Sequence, residues 1–189
     1  MRMATRSRST PARTSTASGS EPPGLRQPSL RPPVAVKPRP GALQAADIEF
    51  GEGKAPHSRR FDDIYRPADE ALRQAREVFL AGTQLPQRWA GRERFTLLET
   101  GFGLGHNFLA TWQAWREDAQ RCERLHFVSI EAFPASSAEL LRSHQGLLQE
   151  PLAQALCAQW PVRVPGLHRL AFEGGRVELL LALGDVRQL

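Results

Sequence analysis

The chain has 189 residues, 41% of them hydrophobic, which is enough apolar content for one folded domain with its own core. Its formal charge of +5 is unevenly distributed, because residues 1–46 hold eight basic residues and one acid whereas the remainder holds seventeen basic and nineteen acidic residues. The positive charge therefore belongs to the amino-terminal region, and the net charge of the chain is not evidence for a basic surface on the folded part.

Composition also excludes other classes of protein. No apolar run approaches the ~20 residues that a membrane-spanning helix needs. The two cysteines, Cys122 and Cys157, have no metal-ligand spacing, and the five histidines are scattered, so no metal site is expected. Two ordinary thiols are typical of a reducing compartment. The sequence therefore predicts a soluble, cytoplasmic protein.

Residues 1–46 are rich in Ser, Thr and Arg and then in Pro, with almost no aliphatic clustering, which predicts a disordered basic arm. We favour a solvated extension or an over-long gene start. A second interpretation is that the cations attract a polyanion such as RNA. A third is an organelle transit peptide, although the prolines argue against the amphipathic helix that such peptides form.

The folded part is predicted to begin near Asp47, with a short strand over 47–50. In the segment 58–65, two adjacent acids, Asp62 and Asp63, stand between Phe61 and Tyr65. They are either part of a site or an acid pair at a helix N-terminus with the aromatics as core anchors, and spacing alone favours the second. Apolar residues at helical spacing then predict a helix from Asp69 that Gly82 ends.

The central stretch combines a short apolar strand over 95–98 with glycines at positions 101, 103 and 105. Alternate glycines remove the side chains from one side of a tight turn, so a ligand can approach the backbone there. Phe108, Thr111, Trp112 and Trp115 recur at three- and four-residue steps, which predicts a helix over 107–119 with its aromatics in the core.

A second strand is predicted over 125–130 with Glu131 at its carboxyl end, followed by helices over 136–144 and 151–160. Two strands over 167–172 and 176–183, joined by a Glu-Gly-Gly turn, lead to Gly184 and Asp185. This order predicts the first half of a doubly wound α/β fold, whose ligand lies at the carboxyl ends of the strands. The glycine turn and Glu131 together favour a nucleoside ligand.

The spacing of these residues distinguishes between nucleoside cofactors. A dinucleotide fingerprint has the pattern G-x-G-x-x-G with an acid ~20 residues further on. Here position 106 is His, and Glu131 lies thirty residues beyond Gly101. An acid, Glu99, two residues before a G-x-G-x-G turn resembles the first motif of class I methyltransferases that use S-adenosylmethionine, whose ammonium suits a nearby carboxylate.

Longer motifs narrow the resemblance. They are FDDIY at 61–65, VFLAG at 78–82, ETGFGLGHNFLATWQA at 99–114, LHFVSIEAFP at 125–134, WP at 160–161, GLHRL at 166–170, and GRV at 175–177 leading to Gly184 and Asp185. In this order they resemble the methyltransferase part of the bacterial bifunctional tRNA 5-methylaminomethyl-2-thiouridine biosynthesis family, MnmC. The resemblance runs through nearly all of 47–189.

The resemblance implies a Rossmann-like class I fold and methyl transfer from S-adenosylmethionine to the amine of 5-aminomethyl-2-thiouridine at the tRNA wobble position. An FAD-dependent oxidase, fused or separate, would prepare that amine, so FAD belongs to a domain that these residues do not encode. Asp62, Asp63 and Tyr65 would act at the reacting amine. The cofactor would contact eight residues, Glu99, Gly101, Phe102, Gly103, Gly105, Asn107, Glu131 and Asp185. Leu104 and His106 depart from the family pattern.

In the family, the sheet continues after the Gly-Asp strand into a fourth strand and a loop that helps to form the acceptor site. By this resemblance, residues 47–189 correspond to a partial methyltransferase domain, truncated before that strand. We therefore expect half of a cofactor cleft, weak cofactor binding at most and no turnover by the chain alone. A nicotinamide-binding domain and a non-catalytic RNA-binding remnant remain alternatives, and an exposed apolar strand at 95–98 is an aggregation hazard.

Overall fold

The structure, a computed structural model, describes residues 43–51 and 55–187. A small antiparallel sheet comes first, formed by β1 (Ile48–Glu49), β2 (His57–Ser58) and β3 (Asp63–Ile64) in that order. The short turn between β2 and β3 includes Asp62, whose φ of 49° is in the left-handed region. The predicted helix N-terminus at Asp62 and Asp63 is therefore wrong, because these residues turn and begin a strand instead.

The main sheet has four strands, β4 (Arg94–Thr100), β5 (Arg124–Glu131), β6 (Gly166–Phe172) and β7 (Val177–Leu183). Their order across the sheet is β4-β5-β7-β6, with β4, β5 and β7 parallel and β6 antiparallel to β7. The predicted parallel half-sheet and the carboxyl-terminal hairpin are both confirmed. In the described part of the chain, β4 pairs on one side only, so its other edge is free.

The register gives the sheet one buried face and one open face. Leu97, Phe127, Leu179 and Leu170 lie side by side across the four strands, and all are buried. The next residue of β4, Leu98, is on the opposite face and is 66% exposed. Since side chains alternate along a strand, the helices of the described residues cover only the first face.

The buried face packs against helices α1 (Ala68–Gln74, continuing as a π-helix over Ala75–Leu80), α2 (His106–Glu117), α3 (Ser137–Ser143) and α4 (Glu150–Ala158). As predicted, the aromatic residues of α2 are buried, and Phe108 packs against Phe127 of β5 at 5.3 Å between ring centroids. A capping box between Ser136 and Glu139 begins α3. These contacts fix α2 beside β4 and β5.

One predicted boundary is confirmed and another differs from the structure. Gly82 is the last helical residue, as predicted, although its φ is not positive and the left-handed residue that follows the helix is Gln84. At the other end, Ala46, which the sequence assigns to the basic arm, is 3% exposed within the core. Residues 1–42 of the predicted arm lie outside the described residues.

Candidate active site

A cavity of about 860 Å³ opens at the carboxyl ends of the parallel strands β4, β5 and β7. This volume is within the usual range of small-molecule sites. The first small sheet and the segment before it form the opposite wall through Leu43, Gln44, Phe61 and Tyr65. The position agrees with the general rule that open α/β sheets bind ligands beyond the carboxyl ends of their strands.

The glycine turn between β4 and α2 forms the floor of the cavity. Gly101, Gly103 and Gly105 have φ values of 85°, 55° and 74°, a region that other residues adopt at a cost. Gly101 and Gly103 line the cavity, whereas Gly105 caps α2 and lies against the buried ring of Phe102. The turn therefore presents bare backbone to the cavity at two positions, and the third glycine allows the helix to begin.

Glu131 is the last residue of β5, and its side chain connects the end of this strand to the glycine turn. Its carboxylate accepts hydrogen bonds from the backbone N–H of Gly103 (2.8 Å) and of Phe133 (2.7 Å). Only 8% of Glu131 is exposed, and it lines the cavity. Both bonds come from backbone donors that cannot reorient, so this carboxylate is fixed in place and leaves its remaining lone pairs for a ligand.

Glu99 is buried under the turn, on the helix side of β4. It accepts hydrogen bonds from Ser129 Oγ (2.9 Å) and Asn107 Nδ2 (3.2 Å). Burial raises the pKa of Glu99 to about 7, although the two hydrogen bonds partly oppose this effect. Glu99 does not reach the main cavity, whereas Asn107 lines a smaller recess beside it together with Tyr65 and Gly103.

The three residues predicted to act at the amine occupy different environments. Tyr65 is half-buried and lines the main cavity, and a Cβ placed on Gly103 would lie 3.9 Å from its Cε1. Burial, with a smaller contribution from the charge of Glu131, raises the pKa of Tyr65. Asp62 and Asp63 are exposed and line neither cavity; Asp62 contacts His57 Nε2 at 3.2 Å.

Asp185 lines the cavity beyond the end of β7, as its place after that strand predicts. It forms an ion pair with Arg187, whose Nε lies 2.9 Å from Oδ1. The hydrogen bond from Arg187 holds the pKa of Asp185 at about 2. Arg187 also lines the cavity, and no pattern in the sequence indicated it.

His106, one of the two departures from the family pattern, packs against His144 with ring centroids 4.5 Å apart. His144 is fully buried, and its Nε2 bonds to the carbonyl of Leu104, the other departure, at 2.8 Å. Burial lowers the pKa of both imidazoles, to about 3 for His106, where the neighbouring His144 contributes too. At position 106 the family pattern is thus replaced by a partly buried histidine, which stays neutral against the buried His144, and at position 104 by Leu104, whose carbonyl contacts the same His144.

This pair should make the protein sensitive to acid. Between pH 6.5 and the lowered pKa values, the unfolded chain binds protons that the folded chain does not, so the free energy of unfolding falls as pH falls. The slope is about 1.4 kcal/mol per pH unit for each imidazole. Glu99 acts in the opposite direction between pH 4.5 and about 7, because the folded state binds its proton more tightly.

The contribution of one imidazole can be separated from that of Glu99 by comparing the free energy of unfolding of the His106→Leu variant with that of the parent chain. We expect urea unfolding to show the variant gaining about 2 kcal/mol relative to the parent between about pH 6.5 and pH 5. The Glu99→Gln variant, which removes the opposing carboxyl, should show the steeper acid loss. Parallel profiles for His106→Leu and the parent chain would contradict this prediction.

The structure thus brings five predicted residues to one cavity: Tyr65, Gly101, Gly103, Glu131 and Asp185. Four support it from behind or beside it, namely Glu99, Phe102, Gly105 and Asn107, since Phe102 is a core residue against Trp160. Phe133 is a further wall of the cavity that no pattern in the sequence indicated, although it lies two residues after Glu131 in the 125–134 motif. In the described residues no three His, Cys, Asp or Glu side chains form a metal-binding group, and no helix is long and apolar enough to cross a membrane.

Comparison with known proteins supports the sequence resemblance. The chain is 58% identical over 152 residues to the tRNA 5-methylaminomethyl-2-thiouridine biosynthesis bifunctional protein MnmC of Cupriavidus necator. The aligned residues make up 79% of the chain and 23% of that protein. The MnmC proteins of Methylibium petroleiphilum and Cupriavidus metallidurans are 55% and 54% identical, over 75% and 78% of the chain and 22% of each protein. The chain therefore spans less than a quarter of the length of these relatives. No family model matches it.

Among solved structures, MNMC2 from Aquifex aeolicus is similar in fold, with a TM-score of 0.53 and 18% sequence identity. The similarity covers 77% of this chain and 44% of that one. The predicted α/β fold class is confirmed, as is the resemblance to a segment of the MnmC proteins.

Proposed function

We propose that this chain, a homologue of one segment of the MnmC proteins, binds S-adenosylmethionine and takes part in methylating the amine of 5-aminomethyl-2-thiouridine at the tRNA wobble position. The observation that carries the proposal is the cavity at the ends of β4, β5 and β7, where bare glycine backbone meets a fixed carboxylate. A partner oxidase that uses FAD, fused or separate, would prepare the amine.

The residues around the cavity suit this cofactor. Gly101 and Gly103 allow it to lie against the turn, Glu131 has lone pairs for ribose hydroxyls, and Asp185 lies on the side assigned to adenine. Glu99, which contacts Ser129 and Asn107 but no cation among the described residues, would favour the ammonium of the methionine part through Asn107. When bound, S-adenosylmethionine supplies an electrophilic methyl group on a sulfonium.

The chain's own contribution to methyl transfer is orientation of a neutral amine. The amine nitrogen forms a bond to the methyl carbon as the carbon–sulfur bond breaks, and the nitrogen then releases a proton to solvent. Tyr65 is the predicted acceptor-side residue that reaches the cavity. Because its pKa is raised, its hydroxyl stays protonated and can accept a hydrogen bond from the amine, but it does not act as the base.

The same geometry disfavours the nicotinamide alternative. A dinucleotide needs the N–H groups of the glycine turn for its pyrophosphate. Here the N–H of Gly103 already donates to the Glu131 carboxylate, so a pyrophosphate would meet a negative charge at the turn. S-adenosylmethionine has no pyrophosphate, and its one carboxylate belongs to the methionine part.

Calorimetry with the 189-residue chain tests this choice. We expect S-adenosylhomocysteine to bind and NAD to show no heat above dilution at the same concentrations, because only the first avoids repulsion by Glu131. Preference for NAD would refute the proposal. A parallel assay should offer S-adenosylmethionine and tRNA that carries the aminomethyl wobble uridine, and methyl transfer there would contradict the expectation of no turnover by this chain alone.

The remaining alternative is a non-catalytic RNA-binding role for the basic arm. It predicts that removal of residues 1–42, which spares the cavity-lining residues Leu43, Gln44 and Ala46, abolishes RNA binding while leaving any binding of S-adenosylhomocysteine unchanged. RNA affinity that survives this deletion would place the RNA contacts on the folded part.

A further inference from the structure

An exposed aromatic residue stands at the mouth of the cavity. Phe61, in the turn between β2 and β3, is 60% exposed, although the aromatic residues of α2 are all buried. Its ring lies edge-on to that of Phe133, with centroids 5.4 Å apart and an angle of 73° between the planes. The guanidinium of Arg60 lies 4.3 Å from the centroid of Phe133. We refer to Phe61, Phe133 and Arg60 as the aromatic–arginine cluster.

The cluster is held in position from the cavity side. The N–H of Phe133 donates to Glu131, and the side chain of Arg60 donates to the amide oxygen of Gln44. Phe61, Phe133 and Gln44 all line the cavity. The exposed ring surface of Phe61 therefore borders the same space as Glu131 and Tyr65.

Charge around the cluster is also distinctive. Neighbouring arginines are neutralised, since Arg59 pairs with Glu49 and Arg66 with Glu70. In the part of the chain that the structure describes, none of the ion pairs involves Arg60. The guanidinium of Arg60 therefore places a positive charge beside the exposed, planar apolar surface of Phe61.

That combination is the one by which proteins bind unpaired bases of single-stranded RNA, whose planes stack on aromatic rings while cations attract the phosphates. We propose that the aromatic–arginine cluster stacks the target base, or a base next to it, of the RNA acceptor, with Arg60 facing its phosphate. The inference rests on the proposed function, because it assigns the acceptor side of the same cavity.

We assign the aromatic–arginine cluster to the RNA acceptor because the proposed cofactor site lies on the other side of the cavity. In the proposed function the cofactor base lies near Asp185, beyond β7, and the ribose at Glu131. Phe61 and Arg60 of the cluster belong to the β2–β3 turn, on the wall where Tyr65 also reaches the cavity, and Phe133 contacts them from the end of β5. A base stacked on Phe61 would thus have its substituent directed along the wall that carries Tyr65.

The experiment measures binding of a fluorescent anticodon stem-loop RNA with an unpaired loop, and of a duplex RNA of the same length, by anisotropy. Phe61→Ala should weaken stem-loop binding by between about fivefold and a hundredfold and leave duplex binding unchanged. Phe61→Trp, which keeps a stacking surface, should retain affinity. Leu148→Ala removes an equally exposed apolar side chain away from the cavity and is the matched control.

Arg60→Gln should weaken stem-loop binding and reduce its salt dependence by about one phosphate contact. The proposal is overturned if Phe61→Ala behaves like Leu148→Ala, if duplex binding falls equally, or if the parent chain does not bind the stem-loop. Loss of S-adenosylhomocysteine binding in Phe61→Ala with unchanged RNA binding would also overturn it and assign the ring to the cofactor. Failure of the parent chain to bind S-adenosylhomocysteine would refute the proposed function, separately from the RNA comparison.

Discussion

Replacement of Glu131 by glutamine is expected to reduce the affinity for S-adenosylhomocysteine by about ten- to a hundredfold and to destabilise the fold by about 1–3 kcal/mol. Both oxygens of Glu131 accept from backbone N–H groups, of Gly103 and Phe133. Glutamine has one acceptor oxygen, so one buried N–H would face an NH₂ group and lose its partner. The charge that would bind the ribose hydroxyls would be lost as well.

Glu99→Gln is the matched control for stability, because it makes the same change in a second buried carboxyl. One partner of Glu99 is the hydroxyl of Ser129, which can rotate to accept from the new NH₂ group. The pKa of about 7 means that the neutral form of Glu99 is already well populated at neutral pH. We expect Glu99→Gln to unfold in urea at or above the parent midpoint, and equal losses in the two variants would contradict this account.

Replacement of Gly105 by alanine is the second change with a large expected effect, a loss of about 2–5 kcal/mol in the free energy of unfolding. Gly105 has a φ of 74°, and a Cβ there would lie 2.9 Å from Cε1 and 3.0 Å from Cζ of Phe102. The Phe102 ring is packed against Trp160 and Phe108, so it has little room to move. Urea unfolding at neutral pH measures the loss.

Gly91→Ala separates the two causes. Gly91 has a φ of 66°, but a Cβ there would have no heavy atom within 4 Å. It should therefore show only the backbone cost of about 1–2 kcal/mol. If the Gly105 and Gly91 variants lost the same stability, the collision with Phe102 would not contribute.

Much of the fold followed from the sequence because its signals are local. A short apolar run predicted the strand at 95–98, and the aromatics of α2 recur at helical spacing, so local patterns assigned both elements. Positive φ at Gly101, Gly103 and Gly105 agrees with the turn that their spacing predicted. Gly82 ends its helix as predicted, although the left-handed conformation follows only at Gln84.

The candidate site was predictable only in part, because its members come from distant segments. The motif order indicated Glu131 and Asp185 at strand ends, and parallel pairing brings strand ends to one edge of the sheet. The environment of Asp62 and Asp63 was not predictable, since the β2–β3 turn directs them away from the cavity while Phe61 and Tyr65 line it. Spacing in the chain does not fix which side of a turn a side chain occupies.

The sequence by itself determined the α/β order, the glycine turn and the resemblance to MnmC, since each depends on residues that are neighbours in the chain. The tertiary structure alone decided three things: that Glu131 accepts a hydrogen bond from the N–H of Gly103, that His106 packs against the buried His144, and that Phe61 and Phe133 meet beside Arg60. Each of these contacts joins residues 28 or more positions apart. Such contacts depend on how the sheet, the helices and the small β-sheet pack together, which local spacing does not encode.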